Sequence, residues 1–192
     1  MSTKLSVNIN KIALLRNSRG SNIPDVMQFA KDAIRFGAEG ITIHPREDER
    51  HIKRTDAFDL GAFLPTDLCE YNIEGYPSEA FIQMVCKIKP TQVTLVPDSP
   101  EALTSSEGWD CIKHEVFLRD IIQQLKSHDL RVALFMETDH KKLEKAKQLG
   151  ADRIEFYTGC YAEEYIKDKE KAIKPFEIAA QFCHEISMGV NA

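Results

Sequence analysis

The chain has 192 residues, 43% of them hydrophobic, and carries 25 Lys and Arg against 30 Asp and Glu, a net charge of −5. That profile fits a globular chain long enough to bury a core as one domain, and it argues against nucleic acid or an anionic membrane as the main partner. No apolar run approaches the ~20 residues that cross a bilayer, and the five cysteines are scattered without a C-x-x-C pair. This pattern fits a reducing cytosol, with neither a disulfide framework nor a structural zinc site. The first residues enter a strand directly, so no signal peptide is expected.

In chain order, residues 4–9 read as a strand and residues 10–23, polar and glycine-bearing, as a loop. Pro24 suits the first turn of a helix whose stripe is Val26, Phe29, Ala30, Ala33 and Ile34, stopped by Gly37. Residues 40–44 form a β-rich run, 45–50 a charged loop, and 55–63 contain a weakly patterned helix. A strand at 71–74 precedes a helix at 78–87 with Phe81, Met84 and Val85 on its apolar side. A strand at 92–96 stops at Pro97, and a long loop covers 98–113. The next helix presents Phe117, Leu118, Ile121, Ile122 and Leu125. Residues 131–136 and 153–156 read as strands around a helix at 141–149. A longer helical stretch then runs to about Met188, and one more strand begins at 189–191.

A short internal repeat supports this division. Phe36-Gly37-Ala38-Glu39-Gly40-Ile41 resembles Leu149-Gly150-Ala151-Asp152-Arg153-Ile154, each reading as a helix halted on glycine, a tight turn and a strand. Strands alternating with helices in this way predict an α/β fold with a parallel sheet, open or closed. Neither Gly-x-Gly-x-x-Gly nor Gly-x-x-x-x-Gly-Lys-Ser/Thr occurs, so the common nucleotide cradles are missing.

Polar residues gather at the strand ends: Asn8 and Asn10, His44 with Arg46 just beyond, Glu74, and Glu155. If the sheet closes as a (β/α)8 barrel, these ends meet at one mouth, where barrel active sites sit. An imidazole, carboxylates, guanidiniums and amides can together move protons and hold anions. Each has a plainer reading. His44 can be a buried structural histidine, and Glu74 can be half of an ion pair, since a carboxylate on a buried strand is costly without a partner. Glu155 carries the same ambiguity. His114, His128, His140 and His184 read as surface or helix residues, Cys160 as a packed thiol, and 167–174 as a solvated helix face.

Three longer segments carry a resemblance: Val7-Asn8-Ile9-Asn10-Lys11-Ile12-Ala13-Leu14-Leu15-Arg16-Asn17-Ser18-Arg19-Gly20; Gly40-Ile41-Thr42-Ile43-His44-Pro45-Arg46-Glu47-Asp48-Glu49-Arg50-His51-Ile52; and Glu155-Phe156-Tyr157-Thr158-Gly159-Cys160-Tyr161-Ala162. Asn72-Ile73-Glu74 and Leu95-Val96-Pro97 fall between the last two. Together they are similar to the pyridoxine 5'-phosphate synthase family of vitamin B6 biosynthesis, from residue 4 to the last residue.

The resemblance implies a cytoplasmic (β/α)8 TIM barrel assembling into homo-octamers and working without metal or organic cofactor. It implies condensation of 3-amino-2-oxopropyl phosphate with 1-deoxy-D-xylulose 5-phosphate to pyridoxine 5'-phosphate, phosphate and water. Carried over by motif, His44 and Glu74 are acid/base groups and Glu155 stabilises a transition state. Arg46, His51 and Ser105 bind the deoxyxylulose phosphate, Asn10 and Lys11 contact that substrate, and Asn8 and Arg19 hold the amino-ketone phosphate. Residues 97–109 offer either a lid or a static edge.

Two departures stand out. Many members have Asp-His where this chain has Asn10-Lys11. Members also continue past Ala192 into a Gly-His-Gly segment with a proton-donating histidine and then the eighth strand and last helices, so the expectation is a single domain over 4–192 cut short within its seventh strand or the loop after it. Two readings compete with the synthase: another phosphosugar lyase or isomerase on the same barrel, and a non-catalytic phosphate-binding fragment that keeps Arg46 and His51.

Overall fold

In a computed structural model, the described residues are 3–64, 69–98 and 107–192. Strands and helices alternate along them: β1 (Ser6–Asn8), α1 (Asn10–Arg19), α2 (Val26–Arg35), β2 (Gly40–Ile43), α3 (Arg54–Phe63), β3 (Glu70–Gly75), α4 (Glu79–Ile88), β4 (Gln92–Leu95), α5 (Glu115–Lys126), β5 (Arg131–Met136), α6 (His140–Gln148), β6 (Arg153–Phe156), α7 (Gly159–Tyr165), α8 (Lys169–Glu185) and β7 (Gly189–Asn191). The sheet keeps chain order from β1 to β7. This is the α/β, parallel-sheet class expected from the strand–helix alternation, and its chain-order sheet is TIM-barrel-like, as the resemblance implies. The chain divides into two compact units, Met1–Val93 and Thr94–Ala192.

In the first unit β1, β2 and β3 pair in parallel, with Asn8 opposite Thr42 and Thr42 opposite Asn72. Side chains alternate across a strand, so each has two faces. Ile41, Ile43, Tyr71 and Ile73 are buried on one face, where the Tyr71 hydroxyl donates to the carbonyl of Ala57 in α3 at 2.9 Å. Ser6, Thr42, Asn72 and Gln92 occupy the other face as a polar ladder. Ser6 and Thr42 hydroxyls lie 2.8 Å apart, Asn72 Nδ2 donates to Thr42 Oγ1 at 3.4 Å, and Gln92 Nε2 donates to Asn72 Oδ1 at 3.2 Å. These partners answer the cost of burying amides and hydroxyls in a sheet.

The predicted loop at 10–23 is corrected: residues 10–19 are helix α1, ended by Gly20 in the left-handed region at φ 65°. Its only buried residues are Ala13 and Arg16, so it has almost no apolar stripe and is fixed by polar contacts instead. Helix α2 starts on Asp25, whose carboxylate accepts the Gln28 amide, and α4 on Ser78, whose hydroxyl accepts from Phe81.

In the second unit β5, β6 and β7 pair in parallel, with Phe135 opposite Glu155 and Glu155 opposite Asn191. Its core is apolar: Val132, Ala133, Leu134, Met136 and Ile154 are fully buried. Burying each large aliphatic side chain contributes about 1.5–3 kcal/mol. The long helical stretch is two helices, broken where the Asp168 carboxylate caps α8 by accepting the Lys171 amide. Cys160, read as a packed thiol, is exposed on α7. The far end of the predicted 98–113 loop is anchored: the Trp109 amide donates to the Phe135 carbonyl and its indole to the Leu95 carbonyl, at 2.8 and 2.9 Å.

Candidate active site

The site is built on the C-terminal ends of β2 and β3. Ile43 pairs with Ile73, so the next residues, His44 and Glu74, stand side by side. Both are buried, and His44 Nδ1 lies 3.9 Å from Glu74 Oε2, too far for a direct hydrogen bond. The His44 backbone amide is held by Asn10, whose Oδ1 accepts it at 2.8 Å, and the Asn10 amide in turn donates to Asn8 Oδ1 at 3.0 Å. Asn10 therefore fixes the end of β2. An aspartate in its place retains the same acceptor, which explains why Asn serves here.

Beyond His44 the chain makes a tight charged loop, residues 45–53, carrying Arg46, Arg50 and His51. Asp48 accepts both the Arg50 amide and its Nε, at 3.1 and 2.7 Å. Glu49 takes a left-handed backbone at φ 51° and its carboxylate accepts the Arg54 amide at 2.8 Å. His51 Nδ1 accepts the following Ile52 amide at 2.9 Å. That bond fixes the tautomer: the neutral ring keeps its proton on Nε2, which is a donor.

Burial, together with the charges of Arg46 and Arg50, holds His51 at about 4. His44 is pushed down to about 3, first by burial and then by Arg46, His51 and Arg50. Both imidazoles are neutral at pH 7, and their rings meet edge-on with centroids 6.0 Å apart. His44 and Glu74 are therefore a neutral ring beside a carboxyl group and not an ion pair. Such a pair beside a cationic loop can move protons while the loop holds an anion.

The structure thus brings together His44, Glu74, Asn10, Arg46 and His51. Asn8 is exposed at the end of β1. Lys11 and Arg19 are exposed near opposite ends of α1, about 12 Å apart along its axis at a rise of ~1.5 Å per residue. Lys11 adds to the positive field at His51. Glu155 is half-buried on β6 of the second unit, where Arg153 Nε donates to Asn191 Oδ1 at 2.7 Å. Ser105 lies outside the described residues. Among the described residues no group of three or more His, Cys, Asp or Glu is placed to hold a metal ion, and no helix is long and apolar enough to cross a membrane.

Sequence reasoning assigned nothing to Arg16, Asn17 and Asp56, which sit directly behind the loop. Arg16 makes a two-pronged pair with Asp56, at 2.6 and 2.8 Å, and Asn17 donates to loop carbonyls. The available signal is the polar pair Arg16-Asn17 beside apolar Ile12, Ala13, Leu14 and Leu15, masked by the polar, glycine-bearing character of 10–23 as a whole.

Among solved structures the chain is similar to a mandelate oxidase, with a TM-score of 0.60 at 9% identity, covering 98% of this chain and 75% of that one. A native KDPGal structure matches with a TM-score of 0.53 at 11% identity, covering 100% and 83%. These likenesses concern the fold alone. Much nearer relatives are two proteins named pyridoxine 5'-phosphate synthase. That of Christiangramia forsetii is 48% identical over 190 residues, and that of Flavobacterium johnsoniae 50% identical over 190 residues. Each match covers 99% of this chain and 79% of the relative. The family model for pyridoxal phosphate biosynthesis protein PdxJ matches residues 5–192. With the strand-end pair and the cationic loop lying inside that match, the chain belongs to the PdxJ family of pyridoxal phosphate biosynthesis enzymes.

Proposed function

We propose that this chain is a pyridoxine 5'-phosphate synthase, condensing 3-amino-2-oxopropyl phosphate with 1-deoxy-D-xylulose 5-phosphate to give pyridoxine 5'-phosphate, phosphate and two molecules of water, one lost on imine formation and one on ring closure and aromatisation. The observation that carries this reading is the His44–Glu74 pair, 3.9 Å apart at neighbouring strand ends, beside a loop rich in cationic and N–H donors. Joining an amine to a ketone as an imine releases water. Expelling phosphate and closing the ring require protons to leave carbon and reach oxygen. Glu74 is the base for carbon-bound protons, and His44 trades protons with substrate oxygens.

The low value of about 3 at His44 comes first from burial and owes a further part of its depression to Arg46. A phosphate dianion against Arg46 offsets that positive field and raises the imidazole toward the range where it exchanges protons. Arg46 offers a planar fork to phosphate and His51 its Nε2–H, with Ser105 as a further donor. Asn10 spends Oδ1 on the His44 amide, so it meets the deoxyxylulose substrate through Nδ2, with Lys11 alongside. Asn8 and Arg19 take the amino-ketone phosphate, and Glu155 stabilises charge in a later transition state.

The assembly proposed for this chain is a homo-octamer in the cytoplasm. Exposed apolar side chains such as Phe36, Val116 and Ile166 support self-association, and light scattering of the purified protein tests it. The catalytic reading is tested by mixing the protein with both substrates and following pyridoxine 5'-phosphate by its ultraviolet absorbance. Wild type forms product, and Glu74→Gln binds both substrates but turns over at most about 1% as fast.

A further inference from the structure

The loop that carries Arg46 and His51 has few apolar anchors of its own, yet its backbone is pinned at three consecutive carbonyls. Asn17 Nδ2 donates to the carbonyls of Glu49, Arg50 and His51, at 3.1, 3.1 and 2.7 Å. One amide group thus fits a concave row of carbonyls around the left-handed turn at Glu49. The orientation of that amide is itself set, because Arg16 Nε donates to Asn17 Oδ1 at 3.1 Å, which leaves Nδ2 facing the loop. Arg16 also donates to the His51 carbonyl at 3.3 Å and grips both oxygens of Asp56. Asp56 accepts the Lys53 amide at 2.8 Å and so ties the end of the loop to the first turn of α3.

Arg16 is buried, with its charge answered by Asp56. It is therefore part of the loop's backing and not one of the cations offered to a ligand. We infer that Arg16 and Asn17 are positioning residues: through the carbonyls of residues 49–51 they hold the backbone that aims Arg46 and His51 at the phosphate of the deoxyxylulose substrate. The inference rests on the phosphate role proposed above for that loop. It assigns a task to one face of α1, a helix without an apolar stripe, and gives the Arg16-Asn17 pair its use. Removing the amide takes away the donor shared by the three carbonyls, leaving only the Arg16 contact at His51, and lets the turn at Glu49 relax, so that Arg46 and His51 no longer converge on the phosphate.

The test measures inorganic phosphate binding by calorimetry, then steady-state kinetics, on wild type, Asn17→Ala, Asn17→Asp, Arg16→Lys and Arg46→Ala, with thermal unfolding of each. Asn17→Ala is expected to weaken phosphate binding about ten-fold. It should raise KM for deoxyxylulose phosphate by a similar factor, with kcat and the KM for the amino-ketone within about two-fold. Asn17→Asp, which has no donor and faces carbonyls with a carboxylate, should be worse. Arg16→Lys keeps the charge beside Asp56 but loses the Nε–H that orients Asn17, and should show a smaller change of the same kind even if an alanine variant fails to fold. If Arg46→Ala weakens phosphate binding while the Asn17 and Arg16 variants bind like wild type, the positioning role is wrong and the loop's phosphate role stands. Equal losses in kcat and both KM values would make the pair merely structural and overturn the inference. Phosphate binding that is absent in wild type, or unchanged in Arg46→Ala, overturns the loop's role and the inference with it.

Discussion

The two units make the same turn with the same atoms and use the strands that follow for different ends. In the first, Gly37 at φ 102° ends a helix, Ala38 donates back to Ala33, and Glu39 donates to Leu5 while accepting from Glu70. In the second, Gly150 at φ 96° does the same, Ala151 donates to Ala146, and Asp152 donates to Val132 while accepting from Gly189. After this shared turn β2 runs into Thr42, His44 and the charged loop, above the polar ladder of Ser6, Thr42, Asn72 and Gln92. After the same turn β6 in the second unit carries buried Ile154 and Phe156 with half-buried Glu155 between them, beside the apolar β5 of Val132, Leu134 and Met136. One backbone device thus starts both a strand that ends in buried polar groups and a strand whose flanks are mainly packed. The turn supplies register, while the residues placed beyond it set which groups stand at the strand end.

The largest effect that would sharpen this contrast is on turnover. Glu74→Gln or His44→Asn should lower kcat about 10²–10⁴-fold, whereas replacing Cys160, exposed on α7 of the second unit, should leave kcat within about two-fold. Near-normal turnover in either strand-end variant breaks the assignment of acid/base chemistry to the ends of β2 and β3.

Next in size is Arg46→Ala. Loss of a charge-assisted phosphate contact should raise KM for deoxyxylulose phosphate about 10–100-fold. Because Arg46 contributes to the depression of His44, the imidazole should also titrate higher in the variant. Nuclear magnetic resonance of labelled histidine reads this directly, and an unshifted His44 would show that Arg46 does not bear on it.

Stability should depend on pH through the same groups. His44 and His51 lie at about 3 and about 4 in the folded protein, below the ordinary value of 6.5. The unfolded chain therefore binds more protons between those values. Stability is full above pH ~6.5 and falls as pH drops through 6 toward 4, with each histidine contributing a slope of up to about 1.4 kcal/mol per pH unit. Denaturant midpoints across pH 4–8 check this, and His51→Gln should flatten part of the slope. A slope unchanged in that variant would assign the acid sensitivity to other groups.

The smallest effect concerns the shared turn. A methyl group at Gly37 meets nothing within 4 Å, and at Gly150 it meets Ile122 Cγ2 at an ordinary 3.6 Å. The cost of Gly37→Ala or Gly150→Ala is therefore backbone strain, about 1–2 kcal/mol at each position. Chemical denaturation should give similar losses for the two variants, and clearly unequal ones would break the equivalence of the turns.

Much of this was legible because apolar runs bounded by turn signals leave little choice. The strands at 131–136 and 153–156 match β5 and β6 to the residue. His44 and Glu74 could be singled out because a polar side chain ending an apolar strand has a burial cost that calls for a purpose. Helix α1 was hidden for the opposite reason: its buried Arg16 is satisfied by Asp56, forty positions away, and hydropathy patterns carry no trace of such a contact. The grip of Asn17 was hidden because its partners are backbone carbonyls, which have no signature in side-chain pattern. The division of 159–185 into α7 and α8 was readable in principle from Asp168 as a cap three residues before Lys171. The lysine-rich surroundings read there as one continuous solvated face.

The most direct test of the central claim is product formation from the two phosphorylated substrates by wild type and by Glu74→Gln at matched protein concentration. Pyridoxine 5'-phosphate should accumulate with wild type and hardly at all with the variant, while both still bind deoxyxylulose phosphate. Equal rates in the two proteins, or no product from wild type with both substrates bound, would contradict it.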